Sequence, residues 1–307
     1  MVNQFINIYK IIIFKLFLLA IAMNQVVDEK LYITIQMMDQ VGIINTETNQ
    51  IDSIIETEMQ SNYQNSCMDY TVEMECSMAD GCEWMMDMCM DSMNNNDINT
   101  PHFIVMDEKL GYWFVTTIAS GYIAQYSLID NELIDSYFVG DAPAILAIDT
   151  NAQKIYCSRM MPMNGMGNMM PSSESNIIQV LSYSSMGMFE SISSEYEIGS
   201  PAPHGLAINY DGTEIYTASN TTDWLYKINT ITGDITGVVM DTSINNPPDQ
   251  AIQRLKPIQC LSLGNRLFVS CSAGPWYNPF TGLTSIIPGQ LQLWDSDNML
   301  LIDSIEF

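Results

Sequence analysis

Apolar and polar positions alternate along most of this chain in short runs, and the runs recur. Segments beginning at Pro101, Pro143 and Pro203 read PHFIVMDEKLGYWFVTT, PAILAIDTNAQKIYCSR and PHGLAINYDGTEIYTAS, and they align without a gap. A fourth, PIQCLSLGNRLFVSCS from Pro257, fits once two residues are deleted in its turn. Each is an apolar strand, a tight polar turn and a second strand rich in β-branched and aromatic residues. Asp211-Gly212 is the strongest of these turn signals. A second set follows the first: QVGIINTETNQIDSI from Gln40, YIAQYSLIDNELIDSY from Tyr122, IIQVLSYSSMGMFESI from Ile177, WLYKINTITGDITGV from Trp224 and QLQLWDSDNMLLIDSI from Gln290. These also read strand, turn, strand.

The predicted unit is therefore four antiparallel strands, a to d, repeated about five times. Such a unit cannot bury both faces alone, so stacked neighbours must supply the core. The expected fold is all-β, a β-propeller of four-stranded antiparallel blades with a small Cys-rich insert. The stretch PHGLAINYDGTEIYTASNTTDWLYKINTITGDI from Pro203 resembles the YVTN-type β-propeller repeat. It is similar to blades of nitrous oxide reductase, cytochrome d1 and lactonase-like propellers. The resemblance implies the fold more than a function. It also implies that a complete ring could hold seven blades. Only Asn24–Val27 precede the first run as a candidate inner strand, so the five-blade count is read as an incomplete or poorly closed ring.

In an up-and-down blade the b–c loops and d–a links share one face. That geometry collects the unusual segments: Met37-Met38-Asp39, the insert at 60–99, RMMPMNGMGNMMPSSES from Arg159 and AGPWYNPFTGLTSIIPG from Ala273. Sites on rigid scaffolds sit mostly in loops. Binding candidates on this face are His102, His204, Trp276 and Tyr277. The two histidines are the chain's full complement, and each follows a proline at the start of strand a. A structural role for them at a propeller strand start is the plainer reading.

Methionine changes the picture further, with 24 in the chain. Met160, Met161, Met163, Met166, Met169 and Met170 crowd one Gly-containing loop. Thioethers suit Cu(I), so copper is a possible cofactor, held by this loop with the mouth histidines. The resemblance to nitrous oxide reductase implies copper on mouth histidines, although two histidines fall well short of that cluster. Adaptable apolar contact with a partner and sacrificial oxidation are the competing readings.

Of the seven cysteines, Cys67, Cys76, Cys82 and Cys89 lie in the insert beside one tryptophan. They suit a knob stapled by two disulfides, with three pairings open. A zinc site is the rival, but no C-x-x-C pair occurs. Cys157, Cys260 and Cys271 fall on strands and read as buried small apolar residues with no bridge. Asp91, Asn95 and Asp97 resemble a calcium loop, but Met93 interrupts the ligands and no glutamate closes it. Asn220-Thr221-Thr222 is a glycosylation sequon.

Residues 1–22 read as a cleaved secretory signal: Lys10 and Lys15 around an apolar run ending in Ala20-Ile21-Ala22. An uncleaved anchor is the alternative. The propeller then spans 23–59 and 100–307, with the knob at 60–99. Net charge is -26, and removing the two signal lysines makes it -28. Such a chain repels phosphate backbones, so no nucleic acid partner is expected, and no membrane span in the mature part. A secreted, periplasmic or cell-surface location is expected, with a protein or cell-surface partner. The functional expectation is a binding or interaction module. The alternatives are Cu(I) capture or sensing and a lactonase-like hydrolase. No G-x-S-x-G, H-E-x-x-H or phosphate-loop motif supports catalysis.

Overall fold

The computed structural model describes residues 29–57, 82–85, 88–91, 99–140, 142–159 and 176–307, the two short segments in the eighties by backbone alone. One turn of 3-10 helix, Gln36–Met38, is the only helical element among them; the rest of the regular structure is strand. The first sheet contains β1 (Lys30–Ile35), β2 (Gln40–Asn45) and β3 (Gln50–Glu56) in that order. A two-stranded hairpin follows, β4 (Cys82–Met85) with β5 (Met88–Asp91). The second sheet is β6 (Pro101–Asp107), β7 (Tyr112–Thr117), β8 (Tyr122–Ser127) and β9 (Leu133–Phe138). The third is β10 (Pro143–Asp149), β11 (Lys154–Arg159), β12 (Ile177–Tyr183) and β13 (Phe189–Glu197). The fourth is β14 (Pro203–Ile208), β15 (Glu214–Ser219), β16 (Trp224–Asn229) and β17 (Ile235–Val239). The fifth runs β18 (Pro257–Leu263), β19 (Arg266–Cys271), β22 (Gln290–Asp295) and β23 (Leu300–Glu306). A hairpin, β20 (Gly274–Tyr277) with β21 (Thr284–Ile287), interrupts it. All pairings are antiparallel meanders, so the repeats expected from sequence form four-stranded sheets. In the first sheet the candidate inner strand Asn24–Val27 lies outside the described residues.

Two compact units are distinguished. In one, described over 29–33 and 42–54, β1 and β2 are joined through Thr46 N–H to the Glu29 carbonyl at 3.0 Å. The second comprises Thr34–Val41 and the described residues from Ile55 to Phe307. Its core lies between successive sheets. Phe114 and Ile123 of the second sheet meet Leu146, Ile155, Cys157 and Leu181 of the third. Tyr156, Ile178 and Val180 of the third meet Leu206, Ile215, Tyr226 and Ile228 of the fourth. Tyr216, Ala218 and Leu225 of the fourth meet Cys260, Leu267, Val269 and Trp294 of the fifth. β11 and β15 are buried on both faces, while β13 and β23 stay exposed. This gradient is what face-to-face stacking of meanders produces. As expected, Cys157, Cys260 and Cys271 are buried and unbridged. Burial pushes the Cys157 and Cys271 thiols up to about 12.

Turn chemistry repeats as regularly as the strands. Strand c ends on Asn45, Asn229 or Asp295, whose side-chain oxygen accepts the N–H groups two and three residues on. Four residues on, Asn49, Gly233 and Met299 take a left-handed conformation that starts strand d, as does Asn131 four residues after Ser127. At Gly212 (φ +71) a Cβ would sit 2.2 Å from the Asp149 carboxylate of the third sheet. Only glycine allows both that turn and that approach.

Candidate functional site

The b–c connections and the links between sheets are tied to each other at one end of the strands. The residue just before strand c does much of the tying. In the first sheet Asp39, held left-handed at φ 53, accepts the Thr100 N–H at 2.6 Å. In the fourth, Asp223 is fully buried and accepts three backbone N–H groups, from Arg254, Leu255 and Lys256, each at 2.8 Å. Burial raises the Asp223 pKa, and those three N–H groups oppose the rise. Trp276 Nε1 donates to the Ile252 carbonyl of the same link at 2.8 Å. The loops expected to share a face are thus bonded to the links expected beside them.

A second device sits in the strand a starts. All four proline-led strands carry a bulge just after the proline, at Pro101/Ile104, Pro143/Leu146, Pro203/Gly205 and Pro257/Gln259. A bulge leaves a strand N–H and carbonyl unpaired. Hydroxyls of strand b take them up. Thr116 Oγ1 accepts Phe103 N–H at 3.1 Å and donates to the Ala144 carbonyl of the next sheet at 2.8 Å. Ser158 Oγ accepts Ile145 N–H at 3.0 Å and donates to the His204 carbonyl at 2.7 Å. Thr34 Oγ1 donates to the His102 carbonyl at 3.2 Å. In the fourth sheet this position is Ala218, which has no hydroxyl. There the His204 side chain substitutes: its Nδ1 donates to the Ile258 carbonyl at 2.8 Å.

The two histidines come together. They flank the third sheet, whose equivalent residue is Ala144, and their ring centroids are 5.7 Å apart at 80°. Gln36 Nε2 hydrogen-bonds His102 Nδ1, so His102 carries its proton on Nε2, a buried atom with no partner. The bond to Ile258 fixes the proton of His204 on Nδ1 and leaves its Nε2 as a lone pair. Burial, reinforced by the neighbouring His204, holds His102 down to about 4. Burial lowers His204 as well, against the opposing bond to Ile258. Both rings are neutral near pH 7, which is the ligating form of imidazole.

The other sequence candidates fare differently. Trp276 and Tyr277 were expected to present two rings from a loop. Instead they lie on β20, where alternation turns Trp276 into the core between the fourth and fifth sheets and leaves Tyr277 exposed. Arg254 covers the Trp276 ring at 5.7 Å. Met160, Met161, Met163, Met166, Met169, Met170, Cys67 and Cys76 lie outside the described residues, and Cys82 and Cys89 are described by backbone only. The methionine segment leaves the third sheet at Arg159 and re-enters at Asn176; Arg159 pairs with Pro143, beside Ala144. Among the described residues no three of His, Cys, Asp and Glu cluster as metal ligands, and no helix is long and apolar enough to cross a membrane.

The opposite end differs in kind. A cleft of about 240 Å³ lies between the turns of the fourth and fifth sheets, lined by Tyr210, Asp211, Glu214, Tyr216, Asn265 and Asp297 among others. Lys227 already spans it, with Nζ 2.7 Å from the Asp297 carbonyl and 3.5 Å from Glu214.

No family model and no curated protein matches the chain. Among solved structures it is similar to a chain of the Kuenenia stuttgartiensis hydrazine synthase, with 13% identity over 68% of this chain and 49% of that one, at a TM-score of 0.48. It is also similar to a chain in the crystal structure of a mitotic checkpoint complex, with 11% identity over 91% of this chain and 61% of that one, at a TM-score of 0.50. The chain thus spans about half to three-fifths of the chains it matches. The second likeness and the stacked four-stranded meanders agree that the fold is all-β and propeller-like.

Proposed function

We propose that this chain is a secreted, periplasmic or cell-surface propeller of YVTN-type repeats acting as a binding module. Its partner, a protein or cell-surface molecule, meets the end where the b–c connections and inter-sheet links gather. The observation that carries this reading is the tying of those segments to one another through Asp39, Asp223 and Trp276, which gives long connections a rigid base. That end presents exposed Met37, Met38 and Tyr277. The test titrates labelled chain onto source cells. Met37→Glu with Tyr277→Glu should abolish saturable binding, while Ile129→Glu with Ile231→Glu, at the short-turn end, should not. Equal loss in both variants rejects the reading.

A second reading, Cu(I) capture or sensing, is favoured by the His102–His204 contact. Two neutral imidazoles fit a two-coordinate Cu(I). A copper ion there would use the Nε2 atoms, the one on each ring that the scaffold does not occupy. His102 would first pass its proton to Nδ1, and Gln36 would turn its amide to accept it. The loop thioethers would complete the donor set. Anaerobic Cu(I) titration against a competing chelator should show tight binding lost in His102→Phe and in the variant with the six loop methionines replaced by leucine. Unchanged affinity in both rejects this reading.

A further inference from the structure

Gln36 is held against His102 from both sides. It opens the 3-10 turn Gln36–Met38, between β1 and β2. Two residues before it, Thr34 Oγ1 donates to the His102 carbonyl at 3.2 Å. Three residues after it, the Asp39 carboxylate accepts the Thr100 N–H at 2.6 Å. The Asp39 carbonyl accepts both the N–H and the hydroxyl of Thr57, at 2.9 and 2.8 Å. These bonds pin the turn to the start of β6, so the half-buried Gln36 amide meets the His102 ring at one fixed place.

Glutamine can serve two states of that ring. Its amide nitrogen donates, its amide oxygen accepts, and turning the amide exchanges them. With Nε2 of Gln36 donating, His102 Nδ1 is the lone pair and the ring proton stays on His102 Nε2. That proton is buried and has no partner. A lone pair on His102 Nε2 arises only when the amide turns and its oxygen accepts Nδ1–H. His204 has no such choice: the Ile258 carbonyl can only accept, so the His204 proton is fixed on Nδ1. One ring of the pair is therefore open to a metal ion at Nε2, and the other is closed by Gln36.

We infer that Gln36 is a positioning residue that sets which nitrogen of His102 is free for a soft metal ion, and that in the metal-free chain it holds the ligating one closed. The inference rests on the Cu(I) reading of the histidine pair. Groups that orient a ligating histidine through its second nitrogen change metal affinity by about 10–100-fold. Here the orienting bond opposes ligation, so replacing Gln36 with a pure acceptor tightens binding. Gln36→Glu is that replacement: a carboxylate puts the His102 proton on Nδ1 and leaves Nε2 bare. Gln36→Leu removes the bond without choosing a tautomer.

Two measurements on the full chain test it. Nitrogen-15 NMR of the imidazole rings distinguishes the two neutral tautomers, and the chain's two histidines give two ring patterns. Without metal at about pH 8, where both rings are neutral, the wild type should show one ring protonated on Nε2 and one on Nδ1. The Nε2 pattern should be the one lost in His102→Phe. Gln36→Glu should show both rings protonated on Nδ1, with the wild-type circular dichroism. Anaerobic Cu(I) titration against a competing chelator should find Gln36→Glu about 10–100-fold tighter than the wild type, with Gln36→Leu between them. A merely structural role predicts that the Glu and Leu variants behave alike. A wild-type His102 protonated on Nδ1, or a tautomer that Gln36→Glu leaves unchanged, overturns the inference whatever copper does. Copper affinity shared unchanged by all three proteins overturns it too, and leaves the Cu(I) reading standing. Flat titrations in all three, with the tautomers switched as expected, reject the Cu(I) reading itself and the metal role of Gln36 with it.

Discussion

Ser158→Ala isolates one rung of the hydroxyl ladder. The side chain is fully buried and keeps its Cβ after substitution, so no sizeable cavity opens. Two backbone groups lose their partner. Ile145 N–H, at the bulge between Pro143 and Leu146, donates to Ser158 Oγ at 3.0 Å. The His204 carbonyl, at the bulge of the next sheet, accepts from the same oxygen at 2.7 Å. Leaving a buried donor or acceptor unsatisfied costs about 1–3 kcal/mol each. The sum is about 2–6 kcal/mol, a large share of a typical stability of about 5–15 kcal/mol. Equilibrium urea unfolding followed by tryptophan fluorescence gives the difference directly. Ser158→Thr, which retains the hydroxyl, should stay within about 1 kcal/mol of the wild type. A Ser158→Ala loss below about 0.5 kcal/mol would show that water or backbone shifts satisfy the bulge, and the ladder would have no energetic meaning.

Three further outcomes are expected. Asp223→Ala strands three N–H groups and should cost about 3–5 kcal/mol in the same unfolding assay. Stability should fall as pH drops from 6.5 toward 4. The unfolded His102 takes up a proton near its ordinary 6.5, whereas the folded one resists until about 4. The loss should reach about 2–3 kcal/mol after allowance for the ring's partial solvent contact. His102→Phe should flatten that slope in urea midpoints measured across the window. Gly237→Ala would place a Cβ 2.6 Å from the Tyr226 ring, so about 1–3 kcal/mol should be lost, read as a lowered thermal midpoint.

The strand pairs were legible because each copy keeps its own alternation and its own turn residues. Asp211-Gly212 marked a turn whose glycine the structure requires on two counts. The grouping of loops and links at one end followed from counting strand directions alone. The bulges were not legible: a proline at a strand start reads the same with or without an extra residue after it. Without them, the column Thr34, Thr116, Ser158 looked like ordinary β-formers rather than partners for stranded backbone groups. Trp276 was misplaced because AGPWYNPFTG reads as turn chemistry. In the fold Asn278 caps a tight turn, Gly282 allows its left-handed step (φ +72), and the flanks pair as a hairpin. The contact between His102 and His204 was half legible. Their shared repeat position was visible, but the space over Ala144 that lets the rings meet depends on three sheets at once.

The ladder also decides how the histidine pair should be read. His204 stands next to a sheet whose hydroxyl position is Ala218, and its Nδ1 does what Thr34, Thr116 and Ser158 do elsewhere. Any substitution of His204 therefore unlatches the fifth sheet, and a lost activity in such a variant says nothing about ligand binding. His102 has no such duty. Its carbonyl accepts from Thr34 Oγ1, and its ring is hydrogen-bonded to Gln36 and stands edge-on to His204. Burying an imidazole with an unpartnered Nε2 costs folding free energy, and the bond its Nδ1 makes, to Gln36, satisfies no backbone group at a bulge. The asymmetry separates the two variants: substituting His204 removes the group that replaces the missing hydroxyl of Ala218, whereas substituting His102 tests the copper reading without removing a rung of the ladder.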